Sequence, residues 1–367
     1  MKKSVPVGIP KKVAVLICAL SLFPVLYGNL LLGFNVDFYA VSIQEDEYLE
    51  WSSFWAFLLA GLLYASLAFR PRFVWRQDWF SLGLSLFCFL AALEEISWGQ
   101  RLFGYQPPEY FLASNFQQEF NLHNIVDSDM RSYLIYLIVF GYGVLLPLVM
   151  RLKSLQRSVG SWNLMPPPLA VVPCFLLVGL LWAYYPFWFA AEWLELTLGL
   201  CFLFSALGIQ FESERGAAAP MAVKAMGGWT LVIVLGIASA ALMGSRSHDA
   251  ENISLANKEL EALGRDIAAG RIELICGDHT RLYSLASTRN PNALFEGEFA
   301  SLAQQGLPET RAYYFLDPWN YAYWVRVICR GESYDDRVTF VYSFGPNQRR
   351  DAMDSNNIGD DLIVYPE

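Results

Sequence analysis

Apolar residues occur in seven runs, each close to the roughly 20 residues that an α-helix needs to cross a bilayer. A short turn around Tyr185-Pro186-Phe187 separates the fifth run from the sixth. The pattern predicts a polytopic α-helical membrane protein with about seven spans. The runs cover residues 13-34, 51-69, 79-98, 132-150, 168-186, 188-210 and 228-245.

The polar tail beyond the last run has a different periodicity. Apolar residues recur at helical spacing as far as about Gly270, which predicts an amphipathic helix. Runs rich in aromatic and β-branched residues follow at 272-276, 321-329 and 337-344, and they predict antiparallel strands. We therefore expect a C-terminal α+β domain behind the membrane spans.

These patterns divide the chain into three parts. The prediction is a six-span membrane domain over 1-210, a cytoplasmic joint over 211-227, and a module over 228-367. Within the module, residues 228-245 form the seventh membrane helix and 246-367 form the terminal domain.

Composition supports a membrane protein. Hydrophobic residues make up 55% of the 367 positions, and the mean hydropathy is +0.31, which is too apolar for an ordinary soluble chain. The formal net charge of -9 argues against a nucleic-acid partner.

Basic residues in the short loops predict the orientation, because cytoplasmic loops carry an excess of Lys and Arg. The opposite loops contain only Arg101 and Arg131. This bias places the amino terminus in the cytoplasm and, with seven spans, the terminal domain in the periplasm of a bacterial inner membrane. The cytoplasmic set is Lys2, Lys3, Lys11, Lys12, Arg70, Arg72, Arg76, Arg151, Lys153, Arg157, Arg215 and Lys224.

Cysteine positions agree with this orientation. Cys276 and Cys329 are the only two cysteines in the tail, and the other four fall inside predicted spans. A pair in an oxidising compartment predicts one disulfide. Two separate reduced thiols are the alternative.

The tail also resembles a known family. Its blocks 317-323 (DPWNYAY), 341-347 (VYSFGPN) and 354-362 (DSNNIGDDL) are similar, in order and spacing, to the periplasmic end of type II secretion major pseudopilins. The segment 224-237 is similar to the start of a pilin, although Ile233 stands where the family usually has a glutamate. The resemblance implies a membrane helix continuing into a spine helix, a periplasmic sheet domain, and secretion-type or other envelope protein partners.

The same resemblance implies a bound calcium ion in the terminal loop. Its expected ligands in this chain are Asp351, Asp354, Asp360 and Asp361. Hard oxygen ligands crowded in one loop suit Ca²⁺, whereas the plainer interpretation is a solvated acidic loop.

The membrane domain contains its own candidate centre. Glu94, Glu95 and Arg101 lie at the outer end of the third run, and Glu192 and Glu195 lie at the start of the sixth. Carboxylates inside apolar helices cost several kcal/mol unless they are paired or hydrated. On a continuous helix, Glu94, Trp98 and Arg101 would share one face.

A long outer loop, Leu102 to Arg131, contains His123, the only histidine of the membrane domain. If residues 117-124 are helical, Glu119 and His123 face the same way, as an acid/base or metal pair requires. The candidate catalytic set is therefore Glu94, Glu95, Arg101, His123, Glu192 and Glu195.

Three readings of this centre stay open: a buried network in which Glu94 pairs with Arg101, a binding site for a lipid or other ligand, and an active site. The sequence favours an inner-membrane protein that presents a calcium-binding, pseudopilin-like interaction domain and binds a lipid or envelope ligand. The alternative is an intramembrane hydrolase or transferase acting on a lipid-linked substrate at the periplasmic face.

Overall fold

The computed structural model describes residues 9–69, 75–115, 117–152, 162–214, 218–244, 250–329, 337–347 and 361–366. The chain divides into two compact units. Unit 1 comprises Met1–Ile96 and Val126–Ala240, and unit 2 comprises Ser97–Ile125 and Ala241–Glu367. The sequence did not predict that the loop 97–125 would belong with the terminal domain.

All the secondary-structure elements in the described residues of unit 1 are helices. One continuous helical stretch, Ser128–Val149, contains a π-helical segment at Leu137–Leu145. The helices are α1 (Lys11–Phe34), α2 (Val36–Ser42), α3 (Tyr48–Ala68), α4 (Trp75–Glu95), α7 (Ser128–Tyr136), α8 (Leu146–Val149), α9 (Val172–Tyr184), α10 (Ala190–Glu214) and α11 (Ala218–Gly244). Two short helices, α5 (Gln100–Phe103) and α6 (Glu109–Ser114), belong to unit 2.

Five helical stretches in the described chain are long and apolar enough to cross a membrane, which confirms a polytopic helical architecture. A bent pair, Asp78–Glu95 with Ser97–Phe103, makes a sixth if it is counted as one span. The fifth predicted run forms only the 13-residue helix α9. The five are Lys11–Phe34, Tyr48–Ala68, Ser128–Val149, Ala190–Glu212 and Pro220–Met243.

Helix α10 forms the centre of unit 1. In its most apolar window, 83% of the residues are buried, and it packs against α1, α3 and α9. Gly28 of α1 permits one close approach, because a Cβ there would lie 2.5 Å from Cδ2 of Trp193. The ring of Trp193 therefore fits against the backbone of α1.

The predicted joint 211-227 is largely helical in the structure. Helix α10 continues to Glu214 and α11 begins at Ala218, so the last helix begins about ten residues before the predicted 228.

Unit 2 combines helices with a four-stranded antiparallel sheet of order β1-β2-β3-β4. The strands are β1 (His279–Arg281), β2 (Trp324–Cys329), β3 (Arg337–Ser343) and β4 (Leu362–Val364). The predicted amphipathic helix is α12 (Ala250–Ala268), followed by α13 (Leu282–Arg289), α14 (Glu298–Ser301) and α15 (Glu309–Tyr314), with 3₁₀ turns at Ser97–Gly99, Pro291–Leu294 and Leu302–Gln305.

The strands at 321-329 and 337-344 are confirmed in type and nearly in extent. The strand predicted at 272-276 is wrong, because those residues form a bend and a turn that lead into β1. The disulfide is confirmed: Cys276 in that turn is bonded to Cys329 at the end of β2. The residue pattern alone did not distinguish a strand at 272-276 from an irregular segment that is held by the disulfide.

A buried ion pair fixes α12 to the rest of unit 2. Arg311 Nη2 donates to Oε2 of Glu259 at 2.7 Å, and the Tyr323 hydroxyl donates to the same oxygen at 2.8 Å. Leu260 and Leu263 of α12 are fully buried in the apolar cluster that also contains Tyr323, Val325 and Val341. The apolar face of the predicted amphipathic helix is thus the face that packs against the sheet.

Candidate functional site

The turn that opens unit 2 has an unusual backbone. Ser97, Trp98 and Gly99 have φ values of 46°, 55° and 79°, a left-handed run in which two of the three residues carry a side chain. Such conformations are uncommon for residues other than glycine. Because α4 ends at Glu95, the prediction that Glu94, Trp98 and Arg101 share one helix face is wrong.

Glu119 is the centre of a buried polar network in unit 2. Its side chain is 2% exposed, and its Oε1 lies 2.9 Å from Nη2 of Arg101. The hydroxyl of Ser97 donates to Oε2 at 2.6 Å, and that of Tyr321 donates to Oε1 at 2.9 Å. The network therefore joins the loop 97–125 to the terminal residues of the same unit.

Two asparagines hold the chain around Glu119. Asn115 Nδ2 donates to the Glu119 carbonyl at 2.6 Å and to Asn121 Oδ1 at 2.8 Å. Asn121 Nδ2 in turn donates to Ser97 Oγ at 3.2 Å. Both asparagines are buried. Residues 117–125 are not helical. Their backbone therefore lacks the regular hydrogen bonds of a helix, and the two side-chain amides hold it instead.

The network fixes the charge of Glu119. Burial by itself would raise the pKa of this carboxyl, but Arg101, the hydroxyls of Ser97 and Tyr321, and Arg281 together hold the pKa below its ordinary value. Hydrogen bonds and positive charges favour the ionised form. Glu119 is therefore a buried carboxylate anion paired with a buried guanidinium.

Two arginines of unit 2 also lie against aromatic rings. The guanidinium carbon of Arg101 is 5.5 Å from the ring centre of Tyr321, and that of Arg281 is 4.7 Å from the ring centre of Trp324. A ring face attracts a cation. These rings help to offset the loss of water around two buried positive charges.

A second buried carboxylate, Asp317, organises the turn that carries Tyr321. Its Oδ1 accepts the backbone N–H groups of Trp319 and Tyr321 at 3.0 and 2.9 Å, and its Oδ2 accepts the hydroxyl of Ser343 at 2.6 Å. Burial raises the pKa of Asp317 to about 7, although these donors oppose the shift. Residues 317–323, the first block of the resemblance, thus form a turn that is closed by hydrogen bonds to the Asp317 side chain.

Other contacts fix the loop on the terminal residues of unit 2. Gln118 Nε2 donates to the carbonyl of Tyr314 at 3.1 Å, and Asn320 Nδ2 donates to that of Gly104 at 3.2 Å. Leu112 forms one apolar cluster with Tyr314 and Leu316. The loop is therefore an integral part of this unit's interior.

Unit 1 contains a separate group of carboxylates. Glu95, at the end of α4, interacts electrostatically with Glu195, Glu192, Glu50 and Glu94. Glu192 in turn interacts with Glu195, Glu45 and Arg131. The sequence predicts that the end of α4 and the start of α10 bring their acidic residues to one depth, and this stays a prediction. We call Glu50, Glu94, Glu95, Glu192 and Glu195 the carboxylate cluster.

The two remaining candidates, Arg101 and His123, belong to unit 2. The ion pair of Arg101 is with Glu119 and not the Glu94 pair that the sequence suggested. His123 is partly exposed in a turn while Glu119 is buried, so the helical pairing of these two residues is wrong. The sequence singled out Glu119 and Tyr321, but it predicted no role for Ser97, Asn115 or Asn121.

No group of three or more His, Cys, Asp or Glu side chains in the described ranges could hold a metal ion. Of the predicted calcium ligands, Asp351, Asp354 and Asp360 lie outside those ranges. Asp361 is described, and it is 4% exposed immediately before β4.

Comparisons with known proteins add no family. No protein-family model, no curated protein and no solved structure matches this chain.

The first prediction concerns the network. Glu119→Gln removes the charge and leaves Arg101 buried, so it should destabilise unit 2 by about 3–5 kcal/mol. Tyr321→Phe removes one hydrogen bond to a charged acceptor and should cost about 1.5–3 kcal/mol. Denaturant unfolding of the purified protein, followed by tryptophan fluorescence, measures both.

The matched control is Glu298→Gln, which removes an exposed ion pair with Arg265 and should have little effect. Because the pKa of folded Glu119 is depressed, its contribution is complete above the ordinary value near 4.5 and is lost at lower pH. The difference between wild type and Glu119→Gln should therefore shrink in acid. Equal stability of the two proteins at pH 7 would contradict the role given to the network.

Proposed function

We propose that this chain is an inner-membrane protein that presents an interaction domain, formed by unit 2, on the periplasmic side. The observation that carries the proposal is the composition of unit 2 from two distant segments, 97–125 and 241–367. Both segments contribute to the network around Glu119. Segments that fold together must lie on the same side of a bilayer.

Counting the crossings turns this constraint into a topology. Between Val126 and Ala240 the chain leaves unit 2 and returns to it, so it must cross the membrane an even number of times. Four helical stretches are available there: 128–149, α9, α10 and α11. An even number results only if α9 also crosses.

Helix α9 is short for this role. Its 13 residues span about 20 Å at 1.5 Å per residue, against a hydrocarbon core of about 30 Å. The non-helical residues before it include the buried Pro167, Pro168 and Val171. Irregular backbone at membrane depth is tolerated where protein covers it, so this segment supplies the missing length.

The resulting count is seven, because α1, α3 and α4 precede unit 2. Three crossings put the amino terminus opposite unit 2, in agreement with the distribution of Lys and Arg. The pseudopilin-like order of a membrane helix, α12 and an antiparallel sheet supports docking of envelope or secretion-type proteins as the role of unit 2.

We infer binding and not catalysis for the membrane unit. Arg101, the sequence candidate for anchoring a substrate, is buried and paired with Glu119. The carboxylate cluster contains five acidic residues, with Arg131 as a nearby cation. Such a set favours a positively charged group. The ethanolamine headgroup of a phospholipid in the outer leaflet carries such a group.

Calcium binding by the terminal loop completes the proposal. Ser355, Asn356 and Asn357 accompany the aspartates between 351 and 361, and four aspartates in eleven residues repel one another unless a cation neutralises them. Asp361 and its loop partners Asp351, Asp354 and Asp360 would hold the ion.

The second prediction tests sidedness with an impermeant maleimide on spheroplasts. Single cysteines at exposed positions of unit 2, Glu109→Cys and Glu296→Cys, should both be labelled from outside, since they belong to one folded unit. Tyr184→Cys should also be labelled, whereas Trp162→Cys should react only after lysis, because α9 separates them.

Lys12→Cys is the control for the cytoplasmic side and should remain unlabelled in intact spheroplasts. Opposite accessibility of Glu109→Cys and Glu296→Cys would refute the shared side of the two segments. Labelling of both Trp162→Cys and Tyr184→Cys from outside would refute the crossing by α9.

The third prediction concerns the carboxylate cluster. The full-length protein is placed in nanodiscs that contain phosphatidylethanolamine and phosphatidylcholine, and the lipids it retains are identified by native mass spectrometry. It should retain phosphatidylethanolamine selectively. Glu95→Gln and Glu192→Gln should each reduce this retention roughly tenfold, because a charge-assisted hydrogen bond contributes about 1.5 kcal/mol or more.

Asp129→Asn, an exposed acidic position in the first turn of α7, is the matched control and should retain the lipid as wild type does. Retention that is equal for the two lipids, or unchanged by both glutamate variants, would rule out the ethanolamine headgroup.

The fourth prediction concerns calcium. Adding calcium at a hundred times its dissociation constant should stabilise the full-length protein by about 2.7 kcal/mol relative to a chelated sample. Asp361→Asn should abolish this gain, while Glu273→Gln, at an exposed acidic position of the same unit, should preserve it. Thermal unfolding that is identical with calcium and with chelator would leave the solvated-loop interpretation.

A further inference from the structure

An open groove runs along the surface of unit 1 where α3, α10 and α11 meet. Its volume is about 540 Å³. Six leucines form its walls: Leu59, Leu62 and Leu63 from α3, Leu203 and Leu207 from α10, and Leu231 from α11. Leu62 and Leu231 are 52% and 45% exposed, so the groove opens to the surroundings of the helices.

Two glycines of α11 keep the groove open. A Cβ added at Gly227 would meet no atom within 4 Å, and one at Gly228 would only touch the side chains of Leu203 and Leu207 at 3.7 Å. The space beside α11 is therefore not filled by the protein itself. A larger side chain at Gly227 would project into it.

One end of the groove is polar. Lys224 of α11 and Gln210 of α10 both line it, and both lie close to the connection between these helices, which includes residues 215-217. The Lys224 side chain is exposed. Leu231 is seven residues further along α11, about 10 Å at the helical rise. The groove thus has a cation at one end and hydrocarbon walls along its length.

We propose that this groove binds an anionic phospholipid, with the phosphate at Lys224 and one acyl chain along Gly227, Gly228 and the six leucines. The apolar walls are complementary to an acyl chain, and the lysine is complementary to the phosphate. Basic pockets between membrane helices bind acidic headgroups. The site lies at the opposite end of α11 from unit 2 in the proposed topology, which is the cytoplasmic leaflet.

This site is distinct from the carboxylate cluster in both position and charge. The cluster lies at the start of α10 and selects a positive group, whereas the groove reaches Gln210 near the end of α10 and selects a negative one. The two sites therefore predict different lipids, and their tests can fail independently.

The experiment uses the full chain in nanodiscs of phosphatidylglycerol and phosphatidylcholine, with the retained lipids counted by native mass spectrometry after transfer to detergent. Wild type should retain one phosphatidylglycerol molecule. Lys224→Gln should weaken retention about fivefold, the contribution of one basic residue near a headgroup. Gly227→Leu should abolish retention by filling the groove. Lys224→Arg, which keeps the positive charge, should retain the lipid as wild type does.

Matched controls exist elsewhere in unit 1. Gly33 of α1 also has no atom within 4 Å of an added Cβ, so Gly33→Leu should leave retention unchanged, as should Lys12→Gln. Circular dichroism and gel filtration confirm that each variant is folded. If Gly227→Leu does not fold, Gly227→Ala, Lys224→Gln and Lys224→Arg still test whether the lipid binds in the groove.

Three results would overturn the proposal. Equal retention of the two lipids would show that the groove accepts any acyl chain without selecting a headgroup. Unchanged phosphatidylglycerol retention in both Lys224→Gln and Gly227→Leu would place the lipid elsewhere. A wild-type dimer that Gly227→Leu converts to a monomer would identify a second copy of the chain as the occupant.

Discussion

The ion pair of Arg101 and Glu119 is the interaction on which the organisation of unit 2 depends. Both side chains are almost completely buried, and neither charge could remain in the interior without the other. Ser97 donates to the other carboxylate oxygen, Oε2, and Tyr321 donates to the Oε1 that Arg101 also contacts. The loop 97–125 and the segment 241–367 thereby become one folded unit.

This constraint also explains the unusual backbone around the network. Ser97 and Trp98 adopt left-handed conformations, and so do Gln118, Phe315 and Asn320. Each such residue costs free energy unless the surrounding structure compensates for it. In unit 2 the compensation includes hydrogen bonds made by Ser97, Gln118 and Asn320 themselves.

Both units contain groups of carboxylates. In unit 2, Glu119 and Glu259 each have an arginine partner, and Asp317 has three hydrogen-bond donors. In unit 1, the carboxylate cluster gathers five acidic residues at one end of a helical bundle. The satisfied network of unit 2 fixes one arrangement of the chain around it.

The sequence by itself determined the class of protein, the positions of most spans, the amphipathic helix α12, two of the four strands and the Cys276–Cys329 pairing. These follow from local periodicity and from the small number of cysteines in the tail. Only the tertiary structure decided the partner of Arg101, the end of α4 at Glu95 and the membership of residues 97–125 in unit 2. Those features depend on contacts between Glu119 and residues such as Ser97 and Tyr321, and no periodic pattern records a contact between residues so far apart in the chain.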